Sequence, residues 1–212
     1  MRTIRITGTG QLKLRPDVTV ITMDLTGLCP DYSEAMNKSS EDTESLKKAL
    51  APLGFDSKDI KTTNFDFGAK FDSHYDNGKY IKEFLGYKYI HELKIEFDSD
   101  NRRLGEILSV LVDCGAKPEF EISYTIKDKE SAKNELLAKA VVDARRKAEL
   151  LANAAGVRLK DIQSIDYSWG KIDFNIRPMS RSSLPEGDYG AFDIEPDDID
   201  LSDTVTVIWE IE

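Results

Sequence analysis

The chain has only two cysteines among its 212 residues, Cys29 beside Pro30 and Cys114 within Asp113-Cys114-Gly115. They show no CxxC spacing and fall short of the four or more that make a disulfide framework, so both read as free thiols outside any redox motif. Histidine is as scarce. His74 and His91 lack HExxH or HxH company, which removes the usual zinc and nucleophilic-triad signatures. No stretch approaches the roughly 20 apolar residues of a membrane helix. The opening Met1-Arg2-Thr3-Ile4-Arg5-Ile6 alternates at once, where a secretory leader would carry about 7 to 15 apolar residues. This predicts a cytoplasmic protein, or a periplasmic or secreted one if a leader has been removed. Positive charge is in deficit too: Lys+Arg 29 against Asp+Glu 39 leaves −10, which repels the phosphates that nucleic-acid binding must neutralise. No nucleic-acid partner is expected.

What is present suits a folded chain. An apolar fraction of 40% with 9% aromatics supports a core, and the length fits one large domain. Residues 3 to 14 alternate around Ile4, Ile6, Leu12 and Leu14, with Gly8 and Gly10 marking a bulge or a close approach. A second strand starts at Val18. Asp31 caps a helix from Tyr32 to Leu53 that Gly54 ends. Strands over 58–72 and 79–97 flank Asp76-Asn77-Gly78, whose Asn-Gly pair favours a tight hairpin turn. Further elements are a helix at 101–113, a strand at 119–128, a helix at 130–155 and strands at 161–169 and 204–211. Between the last two lies an irregular segment, 173–202. From Glu186 to Asp203 there are eight acidic residues and no basic one.

A shift of 102 residues aligns Pro16-Asp17-Val18 with Pro118-Glu119-Phe120, Gly54-Phe55 with Gly156-Val157, and Lys58-Asp59-Ile60 with Lys160-Asp161-Ile162. The pattern implies an internal duplication, with similar βαβ units at 16–67 and 118–169. The fold class is therefore α+β: a mixed, largely antiparallel sheet, helices on one face, two similar βαβ units and a long β-hairpin, all within a single domain over 1–212.

Along the chain come Gly8-Thr9-Gly10 with Arg15-Pro16-Asp17, Leu53-Gly54 with Asp59-Ile60-Lys61-Thr62, Gly86-Tyr87, Gly115-Ala116, and the helical run Ala140-Val141-Val142-Asp143-Ala144-Arg145-Arg146-Lys147-Ala148-Glu149-Leu150-Leu151-Ala152 before Gly156. In this order they resemble the SIMPL-domain family, whose bacterial members include periplasmic immunogenic and oxidative-stress defence proteins. The resemblance implies no catalytic residues and a tendency to form ring-like or channel-like oligomers. The acidic segment ahead of the last strand departs from the family pattern.

The chemical candidates have plainer readings. Asp72-Ser73-His74-Tyr75-Asp76-Asn77-Gly78 offers oxygen ligands and one histidine, but lacks the acid spacing of a calcium loop and reads as a solvated hairpin tip. The acidic run could gather calcium loosely and reads as a solvated loop. Gly8-Thr9-Gly10 lies between strand segments and does not open a helix, which is wrong for a phosphate cradle. Phe65, Phe67, Tyr87, Tyr89, Tyr167 and Trp169 would make a stacking platform if exposed, and core if covered. Arg145, Arg146 and Lys147 form a basic patch suited to an acidic partner or to a solvated helix face. No catalytic, metal or cofactor residue is assigned. The expected function is non-enzymatic assembly or interaction, through sheet edges and the hairpin arm, with a homo-oligomer and a protein partner in view. The alternative is a small-ligand binder or enzyme whose pocket forms from residues distant in sequence.

Overall fold

The structure is a computed structural model, and it describes residues 2–76, 79–167, 172–180 and 195–212. The chain divides into two compact units, one of Met1–Asp17, Thr125–Ile176 and Pro196–Glu212, the other of Val18–Tyr124 and Arg177–Glu195. In order, the elements are β1 (Arg2–Leu14), β2 (Val18–Cys29), α1 (Tyr32–Leu50), β3 (Lys61–Asp76), β4 (Lys79–Asp98), α2 (Asn101–Asp113), β5 (Glu119–Thr125), α3 (Lys129–Ala154), β6 (Leu159–Asp166), β7 (Ile176–Ser180) and β8 (Ile199–Ile211). The class is α+β, as the residue pattern predicts.

The unit holding both termini is a three-stranded sheet, β1-β8-β6, with α3 packed on it. β8 runs antiparallel to both neighbours, so β1 and β6 are parallel across it. The β1 register is unbroken from Arg2↔Ile211 to Leu14↔Ile199, so Gly8 and Gly10 mark no bulge. They are the seat of α3. A Cβ on Gly8 would lie 2.1 Å from the Ala140 carbonyl oxygen, and one on Gly10 would lie 2.0 Å from that of Leu136. Helix and strand therefore touch backbone to backbone, with Ala140, Ala144 and Ala148 packed beside Ile6, Val205, Val207 and Trp209. The alanines of α3 are small for this reason.

The other unit is built on the five-stranded sheet β3-β4-β2-β5-β7, against which α1 packs, with α2 in contact with α1. β4 is antiparallel to β2 and to β3, so β2-α1-β3 is a crossover between parallel strands with β4 inserted between them. Asp31 caps α1, its carboxylate accepting the Ser33 N–H at 2.8 Å and the Glu34 N–H at 3.3 Å. Pro52 removes a backbone donor, and the helix tightens to a 3-10 turn over Ala51–Leu53 before Gly54 at φ +83°. The core is filled by Ile21, Met23, Leu46, Leu93, Ile95, Leu104, Ile107 and Leu108.

Two expectations change. The strand that opens the second sequence repeat, β5, hydrogen bonds in the sheet of the first repeat, and β1 takes the corresponding place beside β8. The segment read as irregular over 173–202 holds β7 and the start of β8, because Ile199 and Leu201 alternate into the core opposite Leu12 and Leu14. Trp169 and residues 181–194, which include Glu186, Asp188 and Asp193 of the acidic run, lie outside the described residues.

Candidate interaction surface

The β3/β4 hairpin outruns its sheet. β2 pairs with β4 only as far as Cys29↔Tyr87, whereas β3 and β4 remain paired out to Asp76↔Lys79. At that limit the register steps from Lys70↔Gly86 to Phe71↔Phe84, leaving Leu85 as an unopposed bulge residue. Gly86 makes the step possible: its φ is +133°, and a Cβ there would sit 2.5 Å from the Cys29 carbonyl oxygen. Beyond the bulge the arm has two strands only, which is marginal in water unless a further surface covers it.

The side chains of this arm continue the helix-facing side of the sheet. Under α1, Tyr89 is 0% exposed, and its hydroxyl donates a short hydrogen bond to the buried Asp42 carboxylate, which also holds Lys38 Nζ at 2.7 Å. Burial, followed by that carboxylate, drives the Tyr89 phenol far above its ordinary value. His91 lies on the same side with Nδ1 3.0 Å from Thr43 Oγ1 and Nε2 2.9 Å from Thr62 Oγ1. Thr43 spends its own proton on the Ser39 carbonyl, so Nδ1 is the protonated nitrogen and Nε2 accepts from Thr62. Burial and then the Lys47 charge lower the pKa of the imidazole.

At the start of α1, Tyr32 meets Phe67 and Tyr87 edge-on, with centroids 4.8 and 5.4 Å apart. Past that point no helix among the described residues lies over the strands, yet the aromatic row goes on. Phe84 contacts Tyr87 at 5.4 Å, Phe71 contacts Phe84 at 5.5 Å, and Tyr75 contacts Tyr80 at 5.5 Å. Lys82 Nζ rests 4.2 Å above the Phe71 ring. Tyr75 is 76% exposed and Tyr80 60%, with Phe71, Ile81, Phe84 and Leu85 also exposed. At the root, Thr26, Gly27, Leu28 and Cys29 of β2 and Glu34, Asn37, Lys38 and Glu41 of α1 enclose an open cavity of about 610 Å³, floored by Tyr89.

The aromatic residues singled out in sequence thus divide. Tyr89 is core, Phe67 and Tyr87 are half-buried at the arm root, and Phe65 is exposed with its ring against His91. Tyr167 belongs to the other unit, where its hydroxyl bonds Asp203 at 2.8 Å. Sequence reading passed over Tyr32, Phe71, Tyr80 and Phe84. The odd-numbered run Phe65, Phe67, Phe71, Tyr75 on β3 was the available signal. At the hairpin tip, His74 pairs with Asp72 at 3.3 Å and Tyr75 is exposed, while Asn77 and Gly78 lie outside the described residues. Among the described residues no group of three His, Cys, Asp or Glu is placed to hold a metal ion. Cys29 is half-buried and Cys114 buried, and both are free thiols.

The basic patch of α3 serves partly to tie the helix to β1. Asp143 accepts the Thr9 N–H at 2.9 Å, Lys147 Nζ at 2.7 Å and Arg146 Nη2 at 2.9 Å. Lys147, then the Thr9 amide, then Arg146 hold its carboxyl well below the usual range. Arg145 pairs within the helix with Glu149 at 3.0 Å.

Compared with known proteins, residues 4–209 match the family model SIMPL, described as a protein of unknown function (DUF541). The 26 kDa periplasmic immunogenic protein of Brucella abortus (strain S19) is 25% identical over 164 residues, 76% of this chain and 65% of that protein. Its counterpart from Brucella melitensis is 24% identical over the same shares, so the match spans less than two thirds of either relative. Among solved structures, the regulatory subunit of aspartate kinase from Thermus flavus aligns over 97% of this chain and 89% of its own at 13% identity. Its TM-score of 0.18 carries no argument.

Proposed function

The chain belongs to the SIMPL family, and from that premise we propose that it is a non-enzymatic assembly module whose hairpin arm joins it to further copies of itself. The observation that supports this most is the aromatic row on a two-stranded ribbon, exposed beyond the first residue of α1. Burying an aromatic side chain of this kind gains about 1.5–3 kcal/mol, and the edges of the ribbon offer unpaired backbone groups to another strand. Charge does not oppose contact between arms. Over residues 70–84, Lys70, Lys79 and Lys82 balance Asp72, Asp76 and Glu83, although the whole chain carries −10. The named relatives are periplasmic proteins, which favours a site of action outside the cytoplasm.

Light scattering after size-exclusion chromatography tests the reading. The unaltered chain is expected as a discrete oligomer over a range of protein and salt concentrations, and the combined substitution Tyr75→Ser, Tyr80→Ser, Phe84→Ser as a monomer with the same circular dichroism. A monomer throughout, or an oligomer indifferent to the arm, removes the proposal. In that event the cavity at the arm root, with the Cys29 thiol and the Lys38, Glu34 and Glu41 charges around it, supports the second reading of a small-ligand site. A stress-related role has its own assay in peroxide consumption accompanied by thiol loss at Cys29.

A further inference from the structure

β1 is an edge strand, and α3 packs over β1 and β8 with Asp143 and Lys147 reaching the free edge of β1. Which backbone groups face outward is fixed by two contacts. The Thr7 carbonyl receives Lys147 Nζ at 3.3 Å and the Thr9 N–H reaches Asp143, so the odd-numbered residues of β1 turn their N–H and C=O away from β8. At Thr7 and Thr9 the helix therefore occupies the edge. Further toward the N-terminus the arrangement opens: Arg5, Ile6 and Thr7 on one side and Arg146, Lys147, Leu150 and Leu151 on the other line a groove of about 380 Å³. The outward N–H and C=O of Arg5 lie along it, and no other strand pairs with β1 on that side among the described residues.

The two faces of this edge differ in chemistry. Ile4 and Ile6 point to the α3 side, where Leu150 is 61% exposed and Leu151 46%. Arg5 and Thr7 point to the opposite face, where Thr7 meets Thr206 across the strands at 2.9 Å. A strand added to this edge would set alternate side chains against Leu150 and Leu151 and the others beside the Arg5 guanidinium, with Arg146 at the rim. Asp143 offsets one of the three positive charges of Arg5, Arg146 and Lys147, and the excess on this edge favours acid.

We propose that the β1 edge beneath α3 is a peptide-binding groove that takes a short extended segment of alternating acidic and apolar residues by strand addition. Lys147 and Asp143 set its length, since they close the edge at Thr7 and Thr9 and leave Arg5 and Thr3 to pair. This site is independent of the arm: a chain that proves monomeric could still bind peptide, and an oligomer could fail to.

The experiment is fluorescence polarisation of a labelled hexapeptide alternating glutamate with valine or leucine, titrated with the full chain and with the triple arm variant. Saturable binding is expected in both. Arg5→Glu weakens it about fivefold to tenfold, the effect of exchanging an opposite-charge cross-strand neighbour for a like one. Thr3→Pro, which keeps every charge and removes only an outward N–H, weakens it as well. A peptide N-methylated at the amides facing β1 does not bind, nor does one with lysine in place of glutamate. Each variant is first checked for an unchanged unfolding midpoint. Absence of saturable binding at millimolar protein overturns the proposal, and binding that ignores N-methylation or Arg5→Glu overturns strand addition.

Discussion

Replacing Gly8 by alanine adds one methyl group, and the structure makes that group costly. Its nearest neighbours are the Ala140 carbonyl oxygen at 2.1 Å, the Ala144 amide nitrogen at 2.4 Å and the Ala144 Cβ at 2.6 Å. Two of the three are backbone atoms of a helix interior, which cannot rotate aside. Relief requires α3 to move off β1 by about 1 Å to restore ordinary contact. That displacement loosens Ala140, Ala144 and Ala148 from Ile6, Val205, Val207 and Trp209. Overpacking of a close-packed core costs about 1–3 kcal/mol and sometimes more. With backbone as the obstacle, Gly8→Ala belongs at or above the upper end. We therefore expect a loss of about 3 kcal/mol, a large part of the roughly 5–15 kcal/mol that holds a domain folded. Urea unfolding followed by the fluorescence of Trp209, which is 3% exposed in that core, measures the loss. Gly68→Ala is the control: nothing lies within 4 Å of its added Cβ, and a change within about 0.5 kcal/mol is expected. A loss below about 1 kcal/mol at Gly8 would refute the claim that Gly8 and Gly10 exist to seat α3.

Two further predictions concern pH. Asp24 sits opposite Glu92 in the β2/β4 ladder, and burial first, then Glu92 and Glu119, raise its carboxyl above the ordinary value. Its contribution to stability is present below the unfolded pKa and lost as pH rises through the folded one, so Asp24→Asn should stabilise the neutral protein by about 0.2–1 kcal/mol and show no gain in acid. A destabilised Asp24→Asn at pH 7 would contradict this. His91 has the opposite sign. Its imidazole is held below the ordinary value, so its contribution is present at neutral pH and fades as pH falls below the unfolded value of about 6.5 and through the folded one. A nitrogen-15 histidine titration should show His91 protonating below the ordinary histidine value of about 6.5; protonation at or above that value would remove the argument.

Local patterns settled much of this protein in advance. Alternation along the strands, the Asp31 cap and Gly54 stop of α1, and the alanine-rich stripe of α3 each depend on a few neighbouring residues, and they appear where the pattern predicts. The hairpin was legible for the same reason. The sheet to which each strand belongs was not, because a strand's sequence specifies its faces and leaves its hydrogen-bonding neighbour open. β5 could equally have paired within its own repeat. The meaning of Gly8-Thr9-Gly10 was likewise undecided between a bulge and a close approach until α3 was seen against it. The aromatic row followed the same rule. Phe65, Phe67, Tyr87 and Tyr89 look alike in sequence, and only the place where α1 begins decides which of them are core and which lie beside an exposed arm, because burial is a property of what packs above a residue.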